Sequence, residues 1–156
     1  MKAWKIVLAS DHAGFNLKTH LADFLKGLGC EVTDAGTHSP APCDYPDFAA
    51  QAGRRLADGE FERGVFVCGT GGGIAMAANK IPGVRAAACH LEYAAQMARA
   101  HNDANVLCLG GRVAAPELAE AIVLRFLQTE YEGGRHDARL RKLARLDGSL
   151  PPGRKK

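Results

Sequence analysis

Five times along the chain, a short run of aliphatic and β-branched residues gives way to a longer amphipathic stretch. The apolar runs fall at 6–9, about 31–35, 64–68, 84–89 and 106–109. Between them the apolar residues return at helical spacing. Phe15, Leu17, Leu21, Phe24, Leu25 and Leu28 share one helical face, and Gly29 stops the helix. Asp44 and Pro46 open a second predicted helix, which runs to about Leu56. Further helices are predicted near 74–80, 92–100 and 116–128, and a short basic helix over about 131–146. Chains of this kind pair their strands in parallel, because each crossover helix returns the chain to the same edge.

The runs are apolar nearly throughout, which is the pattern of strands buried on both faces. The expected fold is therefore α/β: a three-layer α/β/α sandwich around a five-stranded, parallel, Rossmann-like sheet. A length of 156 residues, 47% of them hydrophobic, suits one domain. That domain is taken as 1–150, basic helix included, with a frayed tail at 151–156.

Several function classes fit poorly. Net charge is 20 − 17 = +3, and the basic residues lack interleaved aromatics, so nucleic acid is not expected as a partner. No stretch of about 18 apolar residues exists, so no membrane span is expected. The opening Met-Lys-Ala-Trp-Lys offers no signal peptide, and cytoplasm is the expected location. The five cysteines are scattered without a Cys-x-x-Cys pair, which disfavours zinc and redox motifs. Cys30, Cys89 and Cys108 lie in or beside apolar runs and read as buried thiols.

Ligands of an open parallel sheet bind at the carboxyl ends of its strands. Strand one runs into Asp11-His12, strand three into Cys68 and Gly69-Thr70-Gly71-Gly72-Gly73, strand five into Gly110-Gly111-Arg112. His101-Asn102-Asp103 stands just before strand five and is counted with the same polar rim. The glycine-rich turn lets backbone approach a ligand, and the helix beginning near Ile74 presents unpaired N–H groups to negative charge. It is not a Walker loop, and Ile74 occupies the sixth position where a dinucleotide fingerprint has glycine. Cys68, at the mouth of the turn, is either a thiolate base or nucleophile, or a small residue closing a strand. Arg135 and Arg139 stand four apart on the predicted tail helix. They make either a fork for phosphate or part of a solvated basic face with Arg141, Lys142 and Arg145.

Taken together, the segments resemble the ribose/galactose-6-phosphate isomerase family over about residues 5 to 147. The likeness runs through Ser10-Asp11-His12-Ala13-Gly14-Phe15, Asp44-Tyr45-Pro46 and Cys68-Gly69-Thr70-Gly71-Gly72-Gly73-Ile74. It continues in Ala77-Ala78-Asn79-Lys80, in 101–107 and in Tyr131-Glu132-Gly133-Gly134-Arg135-His136. The resemblance implies interconversion of an aldose phosphate and a ketose phosphate through an enediolate, with neither metal nor organic cofactor. Ribose 5-phosphate and ribulose 5-phosphate are the leading pair, in the pentose phosphate pathway. Allose 6-phosphate, galactose 6-phosphate and tetrulose phosphates are the alternatives. A phosphate- or nucleotide-binding module without turnover is the reading from another class.

The resemblance also implies roles. Cys68 would move the proton between C2 and C1. Thr70, with backbone N–H groups of the Gly69–Ile74 turn (Gly71, Gly72 and Gly73 among them), would hold the enediolate oxygen. His101, assisted by Asp11, would open the furanose ring, and Tyr45 and Asn102 would contact hydroxyls. His12, Arg112, Arg135 and Arg139 would hold the phosphate. Glycine at 71, 72 and 73 beside Cys68 matches the cysteine-using branch rather than the glutamate-using one. A homodimer or homotetramer, with each site shared between subunits, is the implied assembly.

Overall fold

The computed structural model describes residues 2–149, so the frayed tail expected at 151–156 lies outside the described residues. The strands are β1 (Lys5–Ser10), β2 (Glu31–Asp34), β3 (Arg63–Cys68), β4 (Ala86–Ala88) and β5 (Val106–Gly110). The helices are α1 (Phe15–Gly27), α2 (Tyr45–Ala57), α3 (Gly72–Ala78), α4 (Glu92–Asn102), α5 (Pro116–Gln128) and α6 (Asp137–Leu146). A 3-10 turn at Gly134–His136 leads into α6. All pairings are parallel, in the order β2-β1-β3-β5-β4. The expected three-layer α/β/α sandwich is the observed fold. Among the described residues, no helix is long and apolar enough to cross a membrane.

Strand alternation divides the core in two. Ile6, Leu8, Val65, Val67, Leu107 and Leu109 point to one face, where Leu21 and Leu25 of α1 and Ile122 of α5 cover them. Val7, Ala9, Phe66, Cys68 and Cys108 point to the other, against Ala49, Ala52 and Leu56 of α2 and Ile74 and Ala78 of α3. Cys68 is thus the last residue of the α2/α3 face, where the sheet ends.

Burial on both faces holds for β1, β3 and β5 but not for the edge strands. β2 and β4 are half-exposed, which corrects the expectation of uniformly buried strands. β4 is also shorter than its apolar run. The Asn105 side chain accepts the Arg85 N–H at 2.8 Å, so the ladder starts only at Ala86.

At the carboxyl end the inner strands finish level, with Ser10 beside Val67 and Cys68 beside Gly110. Asp11 N–H donates to Val67 O and Gly111 N–H to Cys68 O, lacing the three exits together. Glycine is required there for contact reasons. A Cβ on Gly14 falls 2.4 Å from Val67 O, and one on Gly111 falls 2.5 Å from Ala13 O.

Candidate active site

An open pocket of about 260 Å³ lies where β1, β3 and β5 end. Asp11, His12, Ala13, Tyr45, Cys68, Gly69, Thr70, Gly73 and Arg112 line it. It sits between oppositely directed crossovers, since the chain leaves β1 toward β2 on one side while β3 and β5 lie on the other.

Cys68 is 4% exposed, and its small exposed part opens into this pocket. Gly71 N–H donates to Cys68 Sγ at 3.2 Å. Gly71 adopts φ +81°, and a Cβ there falls 3.0 Å from the Leu109 backbone, so the turn that aims this N–H at sulfur depends on glycine. The first α-helical bond of α3 runs from Ala75 N–H to Gly71 O, so the amides of Gly73 and Ile74 precede it. Thr70 is exposed, and its Oγ1 accepts Gly72 N–H at 3.4 Å. The Tyr45 ring lies on Gly73; a Cβ at that position falls 2.8 Å from Tyr45 Cζ.

Asp11 Oδ1 accepts the N–H groups of Ala13 and Gly14 at 2.9 and 3.1 Å, which fixes the carboxylate at the pocket wall. His12 Nδ1 lies 3.2 Å from Cys43 N and 3.1 Å from Cys43 O, so either tautomer pins the ring and leaves Nε2 for a ligand. Arg112 is exposed beside Gly69, with Nη1 3.5 Å from the position of a Cβ there. Burial pushes the Cys89 thiol up to about 11 and raises the fully buried Cys108 as well. Both stay protonated and inert at neutral pH, and Cys30 is likewise buried.

The remaining expected residues are elsewhere. α4 and α5 run antiparallel to the strands, so their carboxyl ends return to the amino edge of the sheet. His101 and Asn102 form the last turn of α4, and Arg135 and Arg139 follow α5. The expectation that His101 and Asn102 share the rim of Cys68 is therefore wrong within one chain: residues preceding a parallel strand sit at its amino end. Asp11 and His101 lie at opposite ends of the sheet. The helical fork is corrected too. Gly133 and Gly134 take φ of +64° and +59°, so Arg135 falls in the 3-10 turn and only Arg139 is on α6.

This second cluster is ordered by charge. Arg99 is buried; its Nη1 donates to Asp103 Oδ1 and Ala104 O, both at 2.7 Å. Arg85 Nη2 donates to Asp103 Oδ2 at 2.8 Å. These bonds fix the end of α4 that carries His101 and Asn102. The His101 and His136 rings stack with centroids 4.4 Å apart. Burial, then the charge of His101, Arg135 and Arg139, holds His136 below the usual imidazole range. Tyr131 donates to Asp137 Oδ1 at 2.7 Å, and burial together with that bond raises its hydroxyl to about 12. A larger groove of about 700 Å³ touches this end through Asn102, but its one carboxylate, Asp147, already accepts N–H groups from Gly83 and Ser149.

One residue of consequence escaped the sequence reading. Lys18 is fully buried, with Nζ 2.5 Å from both Asp34 carboxylate oxygens and 2.8 Å from Thr37 O. It ties α1 to the segment that leads toward Cys43 and Tyr45. Its signal was a lysine between Leu17 and Leu21 on an apolar stripe.

A family model described as Ribose/Galactose Isomerase matches residues 6–143. The chain is 46% identical over 143 residues to ribose-5-phosphate isomerase B of Escherichia coli K12, covering 92% of this chain and 96% of that one. It is 41% identical over 140 residues to D-erythrulose-4-phosphate isomerase of Pectobacterium atrosepticum, covering 88% and 91%. A solved ribose-5-phosphate isomerase B from Clostridium thermocellum superposes with a TM-score of 0.91 at 50% identity, covering 93% of this chain and 98% of that one.

Proposed function

The chain belongs to the ribose/galactose isomerase family, and from that premise we propose that it interconverts ribose 5-phosphate and ribulose 5-phosphate at sites shared between two copies. It is a sugar-phosphate isomerase. The observation that carries the reading is the Cys68 sulfur, held by Gly71 N–H at the floor of an amide-lined pocket.

A proton α to a carbonyl is a weak acid, so its removal needs a base and a stabiliser for the oxygen that gains charge. Cys68 Sγ takes the proton from C2 of the open-chain aldose; the C2–H electron pair becomes the C1–C2 double bond, and O1 takes the negative charge. The Thr70 hydroxyl and the amides of Gly73 and Ile74 lie beside that position and donate to the oxygen. The C2 hydroxyl proton then passes to O1, its O–H pair forms the C2 carbonyl, and the double-bond pair takes the proton back from Sγ at C1. Tyr45 orients the sugar hydroxyls. His12 and Arg112 supply donors for phosphate from the same chain.

His101, which opens the furanose ring, then comes from a second copy together with Asn102, Arg135 and Arg139. Each copy lends its carboxyl end to one site and its amino end to the other, which is the self-complementary arrangement of a two-fold pair. Met76, Leu91, Tyr93 and Val113 support this assembly. They are exposed apolar residues on the elements that leave the carboxyl ends of β3, β4 and β5.

The test is isomerisation by the purified chain, with a chelator present, over four-, five- and six-carbon sugar phosphates. Ribose 5-phosphate is expected to give the highest kcat/KM. A higher value for a four-carbon ketose phosphate favours the second reading, to which the relative from Pectobacterium points.

A further inference from the structure

At the amino edge of the sheet, three segments bring together three side chains of metal-binding type. His101 comes from α4, Glu132 from the segment after α5, and His136 from the 3-10 turn. Each imidazole Nε2 lies 3.7 Å from Glu132 Oε2, and the three donor atoms all fall within 4.8 Å of one another. A tetrahedral zinc ion with bonds of about 2.0 Å holds its donors about 3.3 Å apart. The cluster is therefore one small contraction from closing. The Glu132 side chain is 57% exposed and free to close its own two gaps, while the two imidazoles supply the rest of the movement. The stacked rings lie 14° from parallel, so their lone pairs run side by side and must tilt together to converge. Arg135 Nε donates to His136 Nε2 at 3.4 Å, a long contact that an ion on that nitrogen replaces.

We propose that His101, Glu132 and His136 bind one divalent ion of the zinc class, and that this ion stops turnover by occupying the Nε2 lone pair of His101. Two imidazoles and a carboxylate suit zinc, cobalt or nickel rather than magnesium or calcium, which prefer oxygen shells. Arg135 and Arg139 nearby weaken the site, and the Glu132 charge offsets part of their effect. Inhibition rests on the role proposed above for His101; binding of the ion does not.

The test is titration of the full chain with cobalt(II), then displacement by zinc(II). One cobalt per chain is expected, with visible absorption and no thiolate-to-metal charge-transfer band. His136→Asn and Glu132→Gln are each expected to weaken binding about tenfold or more at unchanged circular dichroism; Glu132 is exposed, so its variant stays informative if the first misfolds. Zinc at the same concentrations is expected to lower isomerase turnover, and EDTA to restore it. A thiolate band, or unchanged affinity in both variants, overturns the site. Cobalt binding as described with turnover indifferent to zinc overturns the inhibition and the role of His101 together. Absence of any sugar-phosphate turnover defeats the functional reading, while the cobalt titration still decides the metal site.

Discussion

At the carboxyl end of the sheet, Gly14, Gly71, Gly110 and Gly111 let three strand exits and a helix start lie against one another, and the proposed base there is a single sulfur. At the amino end the backbone is less crowded and the contacts are ionic, with Asp103 between Arg85 and Arg99 and the two histidines stacked beside Glu132. The contrast matches the two demands of the proposed reaction. Stabilising charge on one oxygen needs fixed amide dipoles at close range, which only small residues permit. Holding a phosphate needs several full charges on side chains long enough to reach it, which helix ends and turns supply. On the proposed reading, neither end alone is a complete site.

The sharpest way to break this division is to delete the base. Cys68→Ala is expected to lower kcat by about 10²–10⁴ with KM little changed; steady-state kinetics at near-wild-type turnover contradict it. Next comes Arg139→Ala at the other end. Removing one charged donor to phosphate is expected to raise KM by about tenfold to a hundredfold while kcat falls less. Should kcat carry the whole loss instead, Arg139 does more than hold the phosphate.

Gly73→Ala tests whether the carboxyl end depends on close packing. The added methyl meets the Tyr45 ring, which is exposed and able to shift, so a cost of about 1–2 kcal/mol in stability and a several-fold loss in kcat/KM are expected. Thermal melts and kinetics on the variant measure both. The smallest effect is on pH. Burial raises the Cys89 thiol to about 11 in the folded chain, so the unfolded chain loses this proton first as pH rises. Stability is therefore expected to hold below about pH 9 and to fall between there and about 11, as read by denaturant midpoints. Midpoints that rise across this window contradict the burial argument.

Much of this was legible from residue order. Alternation of short apolar runs and amphipathic stretches gave the layers, and α5 matches its predicted bounds of 116–128. The residues at 11, 12, 68–70, 73 and 112 meet in one pocket because each lies where a parallel strand ends at its carboxyl edge. His101 was misplaced because nearness in sequence to a strand does not say which end it occupies; the direction of α4 does. The edge strands looked like inner ones because hydrophobicity alone does not report neighbours. The pair of left-handed glycines at 133 and 134 shifted Arg135 off the helix that its spacing to Arg139 suggested.

The division between the two ends is tested most directly by mixing two dead chains, Cys68→Ala and His101→Ala, under conditions that exchange subunits. Each mixed pair then carries one site with both defects and one with neither, so about a quarter of wild-type activity is expected to return at equal amounts. No recovery, with exchange verified independently, places the sulfur and the imidazole in the same chain's site and contradicts the account.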